Sequence, residues 1–213
     1  MTRQIKSTSK NIVKYIDAIF YIITVTLLIS WLLYDSFDFW DEPFSNFGST
    51  VNRQGNSNAL VMLLYSTGMI LCGVFMFLVG KEFKSNHDIS YRRAKYLLSM
   101  ITGTGFIISI YPHNINNFIH SIGSALMTAG LFFLTNVFFY EVREIMKFWE
   151  YLIYIALFVS TILIYAFLYM INSPAKQVAQ KFAFISLIII VKVLNGKLKS
   201  HLERFSKRHI SNL

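Results

Sequence analysis

Long apolar runs alternate with short polar stretches along the whole chain. Six runs stand out, at residues 16–34, 58–79, 96–111, 116–140, 149–171 and 178–194. Each approaches the roughly 20 residues that a helix needs to cross a hydrocarbon core, and the third is short. No soluble domain, low-complexity tract or linker interrupts them. The pattern predicts an all-α, polytopic membrane bundle of six transmembrane helices. It forms a single integral membrane domain over 1–213 with a basic tail at 195–213. The first run begins after cations, as a signal peptide would, but it is too long and lacks a small-residue cleavage site, so it reads as a retained span. Ser173 and Pro174 predict the N-cap and first position of the sixth helix, and Asn195-Gly196 its C-terminal end. The tail beyond reads either as a short basic helix on the inner leaflet or as a solvated extension.

Charge gives this pattern a direction. Arg3, Lys6, Lys10 and Lys14 precede the first span. Lys81, Lys84, Arg92, Arg93 and Lys95 outweigh Glu82 and Asp88 between the second and third. Lys197, Lys199, Arg204, Lys207 and Arg208 outweigh Glu203 after the sixth. The first loop instead carries Asp35, Asp38, Asp41 and Glu42 against Arg53, and the third-to-fourth connection has no formal charge. Positive residues mark alternate loops, which predicts both termini in the cytoplasm. The Glu141–Lys147 stretch is nearly balanced, and Lys176 and Lys181 are exceptions on the outer side.

Composition agrees. Of 213 residues, 54% are hydrophobic and 15% charged, against roughly a quarter charged in soluble domains. The net charge of +9 lies at span ends and not on a folded reading element, so nucleic acid is not an expected partner and membrane lipids are. A single cysteine, Cys72, leaves no intrachain disulfide framework.

Two polar regions break the apolar chemistry. The first runs from Asp38 through Trp40, Asp41, Glu42, Pro43, Ser45 and Asn46 to Thr50, and continues through Asn52, Arg53, Gln54 and Asn56. Its aromatics suit headgroup depth. The second is Tyr111-Pro112-His113-Asn114-Ile115-Asn116-Asn117-Phe118-Ile119-His120. On a helix starting near Asn116, His120, Ser124 and Thr128 share one stripe. Both regions fall on the same side. They predict a pocket lined by Asp38, Asp41, Glu42, Ser45, Arg53, His113, Asn117 and His120.

In that pocket His120 and His113 are candidate general bases, with Asp38 or Asp41 orienting them. Ser45, Asn46, Arg53, Asn116, Asn117 and Ser124 are candidate substrate-binding residues. His113 and His120 with a carboxylate are candidate zinc ligands, although His-x6-His is no established zinc spacing. The bland alternative is that His120 hydrogen-bonds across helices and the asparagines cap the fourth span. Small residues at Ser124, Thr128, Ala125 and Ala129, at 99–105, and at Gly68 with Cys72 read chiefly as helix-packing faces. Asp17 and Lys192, near span ends, are explained by snorkelling. Span interiors otherwise lack charge.

The stretch Pro43-Phe44-Ser45-Asn46-Phe47-Gly48 after the first span, Tyr111-Pro112 ending the third and His120 early in the fourth resemble the domain of unknown function 998 family. The layout is also distantly similar to the Frag/DRAM/Sfk group. The resemblance covers nearly the whole chain in layout and implies a six-span prokaryotic membrane protein, with a link to lipid organisation. Where such families often carry an acid after the serine, this chain has Asn46.

The expected function is binding or modifying a lipid or other amphiphile at the outer leaflet of a plasma membrane. Whether a reaction is catalysed stays open on sequence alone. A transporter or channel, or a scaffold subunit with a protein partner or a second copy of itself, are the alternatives.

Overall fold

The computed structural model describes residues 2–87 and 89–211, with side chains described at 10–87 and 89–197. Asp88 and the side chains of Arg3, Lys6, Lys199, Glu203, Arg204, Lys207 and Arg208, counted above for orientation, lie outside these. Among the described residues the chain forms six α-helices: α1 Thr2–Leu33, α2 Ala59–Ser85, α3 Arg92–Ile108, α4 Asn117–Val142, α5 Phe148–Met170 and α6 Lys176–Ser211. All except α3 are long and apolar enough to cross a membrane. α3 has 17 residues and is followed by turn-like hydrogen bonds from Ile110 and Tyr111 back to Ile107 and Ile108.

The helices α1 to α4 pack in chain order, and α6 closes back onto α1 and α4 with α5 against its flank. α5 buries only Phe158 fully, on Phe132 and Phe139, and presents Trp149, Ile153, Leu157, Leu163 and Phe167 outward. An apolar surface of that kind is stable in lipid and a liability in water.

The closest backbone approach joins α3 and α4. A Cβ at Gly105 would lie 2.2 Å from the Met127 amide nitrogen, and one at Gly123 would lie 2.3 Å from that of Ser109. Only glycine admits such backbone approach. The 99–105 run is thus a packing face, as expected. On α4 the packing residues are Gly123, Met127 and Gly130, whereas Ala125 and Ala129 are exposed. The expected face was displaced by about one position around the helix.

Three further expectations need correction. α6 does not stop at Asn195-Gly196. Asn195 is buried and donates to the Val13 carbonyl and to Asp17, so its polarity serves α1–α6 packing and the helix continues to Ser211. Lys95 is not a free loop cation: it is fully buried, paired with Glu141 and lies over the rings of Phe83 and Phe138. Asp17 and Lys192 do not snorkel separately but pair at 2.5 Å. Charges are thus paired between helices, Lys95 with Glu141 in the interior and Asp17 with Lys192 partly exposed.

Candidate functional site

At the bundle end opposite the chain termini, loop 1 (34–58) folds on itself. The Asp38 carboxylate accepts from the amides of Trp40 (2.8 Å) and Asp41 (3.3 Å) and so fixes a turn. Pro43 then leads into a short 3₁₀ turn, Phe44–Gly48. Phe47 is fully buried against Tyr34, Phe37, Phe44 and Tyr65 and plugs the top of the bundle. Most loop aromatics thus turn inward, while Trp40 stays exposed. Asn58 donates to the carbonyls of Asn46, Phe47 and Ser49, and Asn52 accepts from the amides of Gln54 and Asn56 around Gly55 at φ 83°. These asparagines are spent on loop structure.

The α3–α4 connection is built similarly. Asn116 caps α4, its side chain accepting from the amides of Phe118 and Ile119. His120 lies 3.0 Å from the Tyr111 carbonyl through Nδ1 and 3.3 Å from Ser124 Oγ through Nε2. A carbonyl only accepts, so Nδ1 carries the proton and Nε2 accepts from Ser124. Both ring nitrogens are thereby engaged.

His113 instead reaches loop 1. Its Nδ1 is 2.9 Å from Ser49 Oγ, while Asn114 donates to Thr50 Oγ1 (2.7 Å) and accepts from the Thr50 amide (3.2 Å). This four-residue clasp locks the two polar regions together. The sequence put them on one side; their direct contact needed the fold.

Beside the clasp lies a cavity of about 590 Å³, within the range of small-molecule sites. Loop 1 contributes Tyr34, Asp41, Glu42, Asn46 and Arg53, the α3–α4 connection His113 and Asn114, and the α5–α6 turn Asn172, Ser173, Lys176 and Gln177. Glu42 is only 4% exposed, and neither carboxylate oxygen has a hydrogen-bond partner among the described residues. Burial pushes its carboxyl above the usual range. Burial and the charge of Glu42 likewise raise the Tyr34 phenol. Burial, then neighbouring His120, holds the His113 imidazole below its ordinary value, so it is neutral at pH 7. Lys181, an exception to the charge rule, is buried completely on α6. It donates to the Phe39 carbonyl and sits over the Phe39 ring at 4.7 Å. It is an internal counter-charge for the acidic loop rather than an outside cation.

Of the residues expected in the pocket, Asp41, Glu42, Arg53 and His113 line it, as does Asn46, expected to bind substrate. Asp38, Ser45, Asn117 and His120 do not, nor do Asn116 and Ser124. Asp38 holds a turn and pairs loosely with Arg53 at 4.0 Å, so it does not orient a histidine. Asn117 is exposed at the start of α4. The sequence reading missed Tyr34, Asn172 and Gln177 on the wall; the only local signal was a polar turn flanking Pro174. The two histidine rings stand 5.8 Å apart, and among the described residues no group of three or more His, Cys, Asp or Glu converges on a metal position. His113 Nε2 is the one histidine nitrogen at this end without a partner among those residues.

Fold and site together define an all-α protein with five helices suited to a bilayer and a polar cavity capping one end of the bundle. Compared with family models, curated proteins and solved structures, the chain matches none.

Proposed function

We propose that this is an integral membrane protein of six spans, with both termini cytoplasmic, that binds or modifies a lipid or other amphiphile at the outer leaflet. α3 is the sixth span in this reading. At 1.5 Å per residue its 17 residues reach about 26 Å, and the turn after it extends this toward the roughly 30 Å hydrocarbon thickness. The alternation of basic and acidic loops supports the orientation, and in this reading the membrane is the plasma membrane of a prokaryote.

The carrying observation is the cavity itself: three loops from the same bundle end converge on it, and it holds both cations and carboxylates. Arg53 and Lys176 suit an anionic headgroup. If a bond is broken, His113 is the base. In the tautomer whose Nδ1–H donates to Ser49, Nε2 offers a lone pair, and the ring is neutral at physiological pH.

Native mass spectrometry of the full chain in mild detergent tests the reading. The wild type is expected to retain lipid, and Arg53→Ala to retain about tenfold less, as loss of a charge-assisted hydrogen bond implies. A wild type stripped bare under conditions that keep it folded overturns the proposal.

A further inference from the structure

The cavity has one feature that an anionic headgroup alone leaves unexplained. Glu42 is on its wall, nine-tenths buried, and both carboxylate oxygens lack partners among the described residues. A buried carboxylate is retained at a cost unless something pairs with it. Neither of the two cations whose fields reach it pairs with it directly. Lys181 donates to the Phe39 carbonyl, and Arg53 faces Asp38. Asn46, on the same turn, is close enough to favour the charged form but makes no hydrogen bond of full geometry to it.

We propose that the cavity takes a zwitterionic headgroup, its anionic group held by Arg53 and its primary ammonium by Glu42. This rests on the amphiphile-binding reading above and names its substrate class. The donor count selects the amine. The two carboxylate oxygens, unpartnered and just beneath the cavity wall, offer several acceptor sites to a donor that a side-chain rotation admits, and a primary ammonium brings three N–H donors, whereas a quaternary ammonium brings none. Arg53 keeps most of its five donors free of the long contact with Asp38, enough for a phosphate diester. A headgroup bearing both charges leaves the cavity with no added net charge, which suits a wall that already carries both signs.

The test uses the full chain in nanodiscs of phosphatidylcholine containing equal minor fractions of phosphatidylethanolamine and phosphatidylglycerol. Lipids retained after gentle extraction are counted by mass spectrometry. The wild type is expected to enrich the ethanolamine lipid about tenfold over the choline lipid. Glu42→Gln is expected to abolish that preference without lowering phosphatidylglycerol retention, since it removes a negative charge from the cavity, and Arg53→Ala to lower all three. Glu42→Asp, which keeps the charge but retracts it, guards against a folding artefact and is expected to lose part of the preference. Soluble phosphoethanolamine identifies the source. If it raises the thermal midpoint of the wild type and not of Glu42→Gln, the headgroup alone is recognised; if only the lipid is retained, the acyl chains are needed. Equal retention of ethanolamine and choline lipids by the wild type, or an unchanged preference in Glu42→Gln, overturns the inference while leaving lipid binding intact. Retention of no lipid at all, with no response to phosphoethanolamine, removes the underlying reading as well.

Discussion

Glu42 and His113 share one cavity wall and titrate in opposite senses. The Glu42 carboxyl is raised by burial, so the folded state holds its proton more tightly than the unfolded chain does. Its contribution to stability is present below the ordinary value of 4.5 and lost as pH rises through the raised folded value. Glu42→Gln should therefore unfold at a higher temperature than the wild type at pH 7.5, and the gap should narrow as pH falls toward 4.5. A constant gap would mean that the carboxyl is not raised. His113 is lowered, so its contribution is present above 6.5 and lost as pH falls through the folded value. The expected signature is a drop in thermal midpoint below pH 6.5 that His113→Asn removes. Each variant isolates one slope. Both residues were visible in the sequence as polar groups beside spans. What was invisible is which histidine is free, because that depends on the Tyr111 carbonyl and Ser124 hydroxyl meeting the His120 ring in three dimensions.

Helix packing is tested by two sets of substitutions. Gly105→Ala places a methyl 2.2 Å from a backbone nitrogen that cannot yield, and should cost stability as a core overpacking substitution does, about 1–3 kcal/mol or more. Gly196→Ala, where an added Cβ meets nothing within 4 Å, should instead stabilise α6 by up to about 1 kcal/mol. Thermal unfolding of both in one detergent compares the two. The Lys95–Glu141 pair gives the second set. Glu141→Gln leaves a buried ammonium unpaired and should cost about 3–5 kcal/mol, whereas Lys95→Met with Glu141→Leu should recover most of it. Failure of the double variant to recover would mean the pair is needed for the fold itself. Helix number and approximate position were legible because apolar run length is nearly a direct readout of a spanning helix. Helix ends were not. Lys95 and Asn195 look like end signals in one dimension and are interhelical contacts in three, since a charge or amide beside lipid is tolerated where a neighbouring helix supplies its partner.

At the scale of the whole molecule, polarity is distributed unevenly between the two bundle ends. Near the termini, three ion pairs tie helices together: Lys95 with Glu141, Asp17 with Lys192, Lys197 with Glu150. At the opposite end the loops are stiffened by asparagine caps and the Ser49–His113 clasp, yet Glu42 is left without a partner beside an open cavity. The orientation carries its own prediction. A cysteine at Gln54 should react with an impermeant maleimide from the outside of intact cells, and one at Lys147 only after permeabilisation, with buried Cys72 silent in both. Reversed labelling would move the cavity to the inner leaflet. An experimental density map of the full chain in lipid nanodiscs shows whether the cavity holds an amphiphile. The expected map has a headgroup between Arg53 and Glu42, with acyl density descending along the bundle surface. A cavity filled only with solvent, with lipid confined to the flanks of the helices, would contradict it.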